Sequence, residues 1–540
     1  MPALTKKDLI ENAAAFERAG VQVPAFAIDR VREKTAAAPV WVHFGAGNLY
    51  KAFHAALQQT LLERGLADRG IIAVAPNDFE SVKTLYAPHD GLFIRVVMKA
   101  DGSLVKQVVA STAEVLPANP EDAAAWGRLR EIFAHPSLQM VTLAITEKGY
   151  DLRGLDGKLQ AGLVRELDQG LAAPRHTMAK LCALVYERYQ AGALPLALVS
   201  TDNFSHNGDK LREAVLTVAR EWLARGAVSP GYIDYLTGGQ RLSFPLSMID
   251  KITPLPSEKV AQALAASGIE GMELIRTERG GVNAPFVNTE EAEYLVIEDN
   301  FPNGRPALEH AGVYFTDAAT VDKVERMKVC TCLNPLHTAL AVFGCLLGYD
   351  SIAAEMGDPE LLALVQGIAY REGLPVVTDP GIINPEGFVR DVLTIRLPNA
   401  NIPDTPQRIA ADTSQKLAIR FGETIKRYML QGEIEKLALI PLALAGWCRY
   451  LLGLDDTGRP FTPSSDPLLG VMRGELAGVE LGNPQTGEGA LKNILSNEKI
   501  FGLDLYAAGL GGKVEAYFTE LIAGPGAVRK TLQKYTKTAR

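Results

Sequence analysis

At 540 residues the chain is longer than one hydrophobic core ordinarily serves, so two domains are expected. A formal net charge of −8 without a long Lys/Arg run excludes the basic footprint that nucleic acid or an anionic membrane requires, and leaves small molecules as the expected ligands. Hydrophobic and charged contents of 47% and 22% are those of a soluble globular protein, and five cysteines with no CxxC pair and no HExxH motif point to a reducing cytoplasm without a disulfide framework or zinc site.

Residues 1–35 mix Lys6, Lys7, Asp8, Glu11, Glu17, Arg18 and Asp29 with apolar side chains. Without a continuous apolar segment they read as an amphipathic helix, not as a signal peptide or membrane span. Residues 39–44 form a short β-rich run ending in Phe44, followed by Gly45, Ala46, Gly47, Asn48 and Leu49 and a helical pattern over 52–64. Strand, glycine turn and helix are the context of a dinucleotide fingerprint: the first glycine permits the tight turn, and the second lets backbone N–H groups approach a pyrophosphate. Tyr50 stands where a third glycine would complete the pattern, so an ordinary strand-to-helix turn is the competing reading. A second strand over 70–75 ends at Asn77 and Asp78, either of which suits an adenosine ribose.

Further apolar runs at 92–97, 107–110, 140–145 and 196–200, with helical patterns between the later ones, predict an α/β sheet. Ligands of such sheets bind beyond the carboxyl ends of the strands, which directs attention to 146–150 and 201–203. Asn203 offers an amide there; an Asx turn is its structural alternative. Asp250 and Lys251 lie between Pro245 and Pro254, in a segment expected to be extended and rigid. A last strand is read at 294–298, and the turn-rich stretch 301–306 suggests a division into domains 1–310 and 311–540.

Beyond 319 helical periodicity takes over, at 321–328, 335–347, 361–372, 387–397, 407–428, 435–452 and 512–522. The fold class is thus α/β, with a Rossmann-like N-terminal domain and a mostly α-helical C-terminal domain. Within 325–348, Lys328, Asn334 and His337 gather at the mouth of an apolar helix, with Asn334 expected as its N-cap and Pro335 as its first residue. Two readings stand: a catalytic cluster, or a solvated lysine, a capping asparagine and a core histidine. Cys330 and Cys332 lack further ligands at metal spacing and read as small buried residues.

Taken together in one order, these motifs resemble the polyol-specific long-chain dehydrogenases of the mannitol dehydrogenase family, over about residue 39 to the mid-400s. The resemblance rests on Phe44 to Asn48 with Lys51, Thr146 to Tyr150, Ser200 to Asn203 with Asn207, Asp250 to Pro254, Glu325 with Met327 and Lys328, Asn334 with His337, and Arg396 with Asn399. It implies metal-independent, NAD-dependent oxidation of a secondary alcohol, with NADP as the alternative cofactor. It further implies Lys328 as the acid/base, Asn203 and Asn334 as oxygen-binding amides, His337 as a substrate-positioning group, and Asp250 and Arg396 as further pocket residues.

A lysine suits the base role because hydride leaves carbon as a proton leaves the hydroxyl, and two amides hold the developing alkoxide without a metal. Three departures from the family pattern are visible. Lys51 replaces an arginine, Pro76 and Asn77 replace an acidic strand end, and Lys328 stands six residues before Asn334 where the family usually has five.

The branch expected is the ketouronate reductases, which interconvert mannonate and fructuronate or altronate and tagaturonate; Arg390, Arg396 and Lys251 are the cations available to a uronate carboxylate. A mannitol or arabinitol 2-dehydrogenase is the alternative within the family. A catalytically silent NAD-binding sugar-acid sensor is the alternative outside it.

Overall fold

The computed structural model describes residues 2–154, 156–276 and 281–537. Two compact units emerge, Met1–Met98 with Ser103–Asp322, and Lys99–Gly102 with Lys323–Arg540. The boundary between these units falls inside the helix Ala318–Met327, and the strand Tyr314–Thr316 pairs with Tyr294–Glu298 of the first unit.

The first unit is built on six parallel strands: β1 (Trp41–Phe44), β2 (Ile71–Ala75), β3 (Thr112–Pro117), β4 (Met140–Leu143), β5 (Leu196–Ser200) and β6 (Leu242–Ser243). Their spatial order is β3-β2-β1-β4-β5-β6, the order of a dinucleotide-binding sheet. Every residue of β1, β2, β4 and β5 is buried, as expected for parallel strands covered on both faces. The covering helices include α1 (Ala55–Glu63), α2 (Ala123–Ala134), α3 (Thr177–Gln190) and α4 (Asn207–Ala224). The order reverses between β1 and β4, where Phe44 lies level with Leu143, and this is the point at which ligands bind in such sheets.

Three expectations change. The runs near 92–97 and 107–110 are strands, Phe93–Met98 and Leu104–Val109, but they pair antiparallel in a separate four-stranded sheet with Val21–Gln22 and Phe286–Glu290. Tyr294–Glu298 is not the last strand of the main sheet; it pairs with Ser247–Asp250 and Tyr314–Thr316. The N-terminal segment is three short helices, Lys6–Glu11, Ala13–Arg18 and Ile28–Ala37, interrupted at Asn12 and at left-handed Gly20. Met1 lies outside the described residues.

The second unit is helical around α5 (Asn334–Leu347), α6 (Leu439–Tyr450) and α7 (Gly511–Leu521). All twelve residues of α6 are buried, and α7 packs on it. Leu505, Phe518, Leu521 and Leu532 are buried as well, so the tail beyond 455 closes this core. The single helix expected over 407–428 is broken into Pro406–Ile409, Thr413–Gln415, Ala418–Gly422 and Glu423–Gln431, with Asp412 left-handed at φ 53°. Among the described residues, six turns of π-helix occur, four of them in this unit: Lys328–Cys332, Ile368–Gly373, Val392–Arg396 and Ala418–Gly422. The stretch Ala318–Leu347 is apolar enough to cross a membrane by composition, but 83% of its most apolar window is buried within the protein, as in a core helix.

The start of α6 carries a prediction. Its first N–H groups have no partner along the helix, and the buried Glu372 carboxylate accepts those of Ala438, Leu439 and Ile440 at 2.7, 2.6 and 2.7 Å. Glu372→Ala is expected to cost about 3 kcal/mol or more, since a buried unsatisfied donor costs about 1–3 kcal/mol and three are exposed at once. Denaturant unfolding measures it, and Glu372→Gln, which keeps one acceptor, is expected to lose less.

Candidate active site

The first unit supplies a cradle at the reversal point of its sheet. Gly45 follows β1 at φ 120°, its N–H bonded to Val74 O at 2.9 Å; a Cβ there would stand 2.1 Å from Ala144 O. Only glycine fits. Gly47 differs, being exposed with nothing within 4 Å of a would-be Cβ. The face above it is open, as close approach of a pyrophosphate requires. Asn48 next to it keeps its amide oxygen buried without a hydrogen-bond partner among the described residues. Ala46 O accepts the Tyr86 hydroxyl at 2.8 Å, fixing the turn from below, and Leu49 leads into a π turn, Tyr50–His54, that continues as α1. Phe44 contributes backbone alone, its ring packed edge-on against Phe133 in the core.

A cavity of about 780 Å³ opens past β2 and β4, lined among others by Asn77, Thr146, Lys148, Gly149 and His176. A second, of about 300 Å³, shares Asn77 and adds Phe79, Asn119 and Lys180. Asn77 donates to Thr177 Oγ1 at 3.1 Å, whereas the Asp78 carboxylate accepts from Ser81 N and Asn283 Nδ2, each at 3.3 Å. Of the two residues expected at the ribose, Asn77 is thus the one lining the cavities. The open Gly47 face, the orphaned Asn48 oxygen and these cavities together fit a dinucleotide. Lys51 is fully buried and donates to Ala284 O at 2.9 Å, so it ties the turn to a neighbouring sheet; burial alone pushes it down to about 7.

Sequence reasoning passed over Asp202. It is buried, and its carboxylate accepts the N–H of Ile145 at 3.0 Å, the N–H of Thr146 at 2.8 Å and the Tyr150 hydroxyl at 2.6 Å. Thr146 is held at φ 66°, ψ 156°, a region a β-branched residue enters at a cost, and the Asp202 acceptor sustains it. Asn203 follows at the exposed end of β5. The sequence signal was the polar run after a buried strand, but only its last member had been singled out.

Asp250 is buried at the end of the strand Ser247–Asp250. Lys251 has no exposed side-chain surface. It pairs with Glu293 at 2.9 Å, a carboxylate shared with Arg95 at 2.7 Å, and donates to Glu290 O at 2.6 Å. That internal cluster balances its charge within the first unit.

In the second unit, Lys328 opens the π turn Lys328–Cys332 and is 3% exposed. The N-cap expected at Asn334 sits one residue earlier, at Leu333, with φ −129° and ψ −60°. Asn334 is therefore the first helical residue and not the cap. Its amide makes no hydrogen bond among the described residues, and it stands half-buried at the helix mouth.

His337 lies 3.5 Å from the Asp404 carboxylate through Nε2. Burial, then the charges of Arg420, Arg396, Arg408 and Lys416, push it down to about 3, so its imidazole is neutral at neutral pH. Arg396 is buried at the end of the π turn Val392–Arg396, whereas Arg390 projects 69% exposed beside Asp391. Cys330 and Cys332 are buried and unbridged, their thiols pushed up by burial to about 11 and 12.

The family description for the mannitol dehydrogenase Rossmann domain matches residues 39–310, and that for the mannitol dehydrogenase C-terminal domain matches 320–521. The chain belongs to the mannitol dehydrogenase family. This member is 50% identical to D-mannonate oxidoreductase of Thermotoga maritima over 532 residues, 98% of each chain. Among solved structures it is similar to D-sorbitol dehydrogenase in substrate-free form, with a TM-score of 0.77 and 26% identity over 96% of this chain and 97% of that one. It is also similar to a ternary complex of Pseudomonas fluorescens mannitol 2-dehydrogenase with NAD and D-mannitol, with a TM-score of 0.68 and 26% identity over 98% and 99%. Within this mannitol dehydrogenase family member, the second matched domain extends to 521, into the tail past 455 that the motifs had left without a role.

Proposed function

We propose that this chain is an NAD-dependent oxidoreductase that interconverts D-mannonate and its keto form, D-fructuronate. The observation that carries the reading is the 50% identity to a D-mannonate oxidoreductase across both domains, against 30% to the mannitol 2-dehydrogenase of Aspergillus fumigatus.

When bound, the nicotinamide supplies the hydride acceptor. The turn from Gly45 to Leu49 binds the pyrophosphate through its backbone, and Asn77 meets the adenosine end. Lys328 takes the proton of the substrate hydroxyl as the carbon-bound hydrogen leaves with its electron pair, and returns that proton to the oxygen in ketone reduction. Asn334 and Asn203 are the amides assigned to the developing alkoxide. His337, neutral, accepts or donates one hydrogen bond to a neighbouring hydroxyl. Asp250 and Arg396 complete the polar groups of the two units. A reducing cytoplasm belongs to the same reading, with all five cysteines buried as free thiols.

Rates of NADH and NADPH oxidation with D-fructuronate, D-tagaturonate and D-fructose test it. NADH with fructuronate is expected to give the highest kcat/KM; a preference for fructose would move the protein to the polyol branch, and no turnover with any of them would favour a silent sensor. Activity is also expected to survive prolonged EDTA treatment, since amides hold the alkoxide, and among the described residues no three His, Cys, Asp or Glu side chains converge as metal ligands. Loss on chelation with recovery on added Zn²⁺ would overturn the lysine mechanism.

A further inference from the structure

The second unit gathers the cations Arg420, Arg396, Arg408 and Lys416 around His337. Arg420, in the π turn Ala418–Gly422, donates from Nη1 to Thr338 Oγ1 at 2.6 Å; Thr338 Oγ1 in turn bonds Asn334 O at 2.8 Å. Asn334, His337 and Thr338, spaced i, i+3 and i+4, share one face at the N-terminal turn of α5, so the guanidinium is anchored on the face that presents the amide and the imidazole. Among the described residues no carboxylate lies within ion-pair distance of Arg420. Lys416 stands one helical turn earlier, with Arg420 N bonded to Lys416 O at 2.9 Å, and its ammonium donates to the neutral Ala411 carbonyl, which leaves its charge in place.

The nearby carboxylates of Asp412 and Asp466 act on Lys416, and among the described residues none acts on Arg420. Asp404 pairs with Arg408, and Asp466 accepts from Ser414 N at 2.8 Å. Like charges one turn apart repel, and a largely desolvated guanidinium without a counter-charge is costly, so the cluster is built for an anion that arrives with a ligand. Arg420 remains protonated even though burial pushes it down to about 10.

We propose that Arg420, supported by Lys416, binds the carboxylate of the sugar-acid substrate and sets the preference for a sugar acid over a neutral polyol. The inference rests on the sugar-acid reading above and names the group that enforces it. Neither residue stood out in the sequence, where both fell within a stretch read as one uninterrupted amphipathic helix.

The test compares D-fructuronate with D-fructose as substrates for NADH oxidation by the parent enzyme, Arg420→Met and Arg420→Lys. A charge-assisted hydrogen bond to a carboxylate is worth about 1.5–3 kcal/mol, so Arg420→Met is expected to lower kcat/KM for fructuronate about 10–100-fold, mainly through KM. The fall with fructose is expected to be several-fold smaller, and Arg420→Lys to regain part of the loss. NADH fluorescence and a melting curve report whether the variant folds. Should Arg420→Met fail to fold, the half-buried Lys416→Met is read in the same way, and its failure to shift the acid-to-neutral ratio would overturn the proposal. If the parent prefers fructuronate and Arg420→Met lowers both substrates equally or neither, the assignment of Arg420 falls alone. If the parent reduces fructose and ignores fructuronate, the sugar-acid reading falls and takes this assignment with it.

Discussion

Lys328→Ala is expected to lower kcat and kcat/KM together by about 10²–10⁴-fold, the usual contribution of a positioned general acid/base. The lysine sits almost wholly within the protein at the first position of a π turn, in a place no solvated surface charge would occupy. NADH affinity is expected to stay within about twofold of the parent, because the cofactor cradle belongs to the first unit and Lys328 is lost only from the transition state. An added primary amine is expected to restore part of the rate. Steady-state kinetics with a fluorescence titration separate these effects. Near-parental activity would exclude Lys328 and leave His337 as the next base, since Lys251 is already committed to Glu293.

The two glycines of the first turn are expected to fail in different ways. Gly45→Ala brings a methyl to about the distance at which a Cβ meets the Ala144 carbonyl, 2.1 Å, at a backbone φ of 120°. Neither β1 nor β4 can yield without opening the centre of the sheet, so this variant is expected to be recovered largely unfolded or with a sharply lower Tm. Gly47→Val meets nothing within 4 Å, and its fold and Tm are expected to hold. Its cofactor KM is expected to rise on the order of 10–100-fold, equivalent to about 1.4–2.8 kcal/mol of binding. Thermal melts beside a KM for NAD separate the two; an unchanged KM in Gly47→Val would remove the turn from the cofactor site.

The runs at β1, β2, β4 and β5 were legible because parallel strands buried on both faces leave continuous apolar stretches, and Leu196–Ser200 was bounded to the residue. Sheet membership was not, since Phe93–Met98 and Leu104–Val109 carry the same local signal yet pair with each other and with strands elsewhere in the chain, Phe93–Met98 with Phe286–Glu290 nearly two hundred residues away and Leu104–Val109 with Val21–Gln22. Periodicity reports a face and is silent on its partner. Asn334 was read as a cap on residue type alone, but the turn of the chain at Leu333 decides the cap, and that leaves the asparagine amide for other work. Lys251 and Arg390 show the same limit from the other side. Both are cations in suggestive positions, yet one is sealed against Glu293 and the other faces solvent. Arg420 was hidden because the break at left-handed Asp412 has no strong local signature.

The π turns bear on how this architecture tolerates insertions and deletions. Adding one residue to an α-helix turns everything downstream by about 100°, which would carry a reactive side chain out of a site. A π turn confines the added residue to a single wide loop and lets the flanking helix keep its phase. Lys328, Arg396 and Arg420 each belong to such a turn, so the three cations argued to meet the substrate sit where the chain can gain or lose one residue without re-aiming its neighbours. The six-residue step from Lys328 to Asn334, against five in the family pattern, spans the π turn and the break at Leu333, so a length change there falls where the chain already departs from a regular helix, and an alignment gap across it does not signal a lost catalytic group.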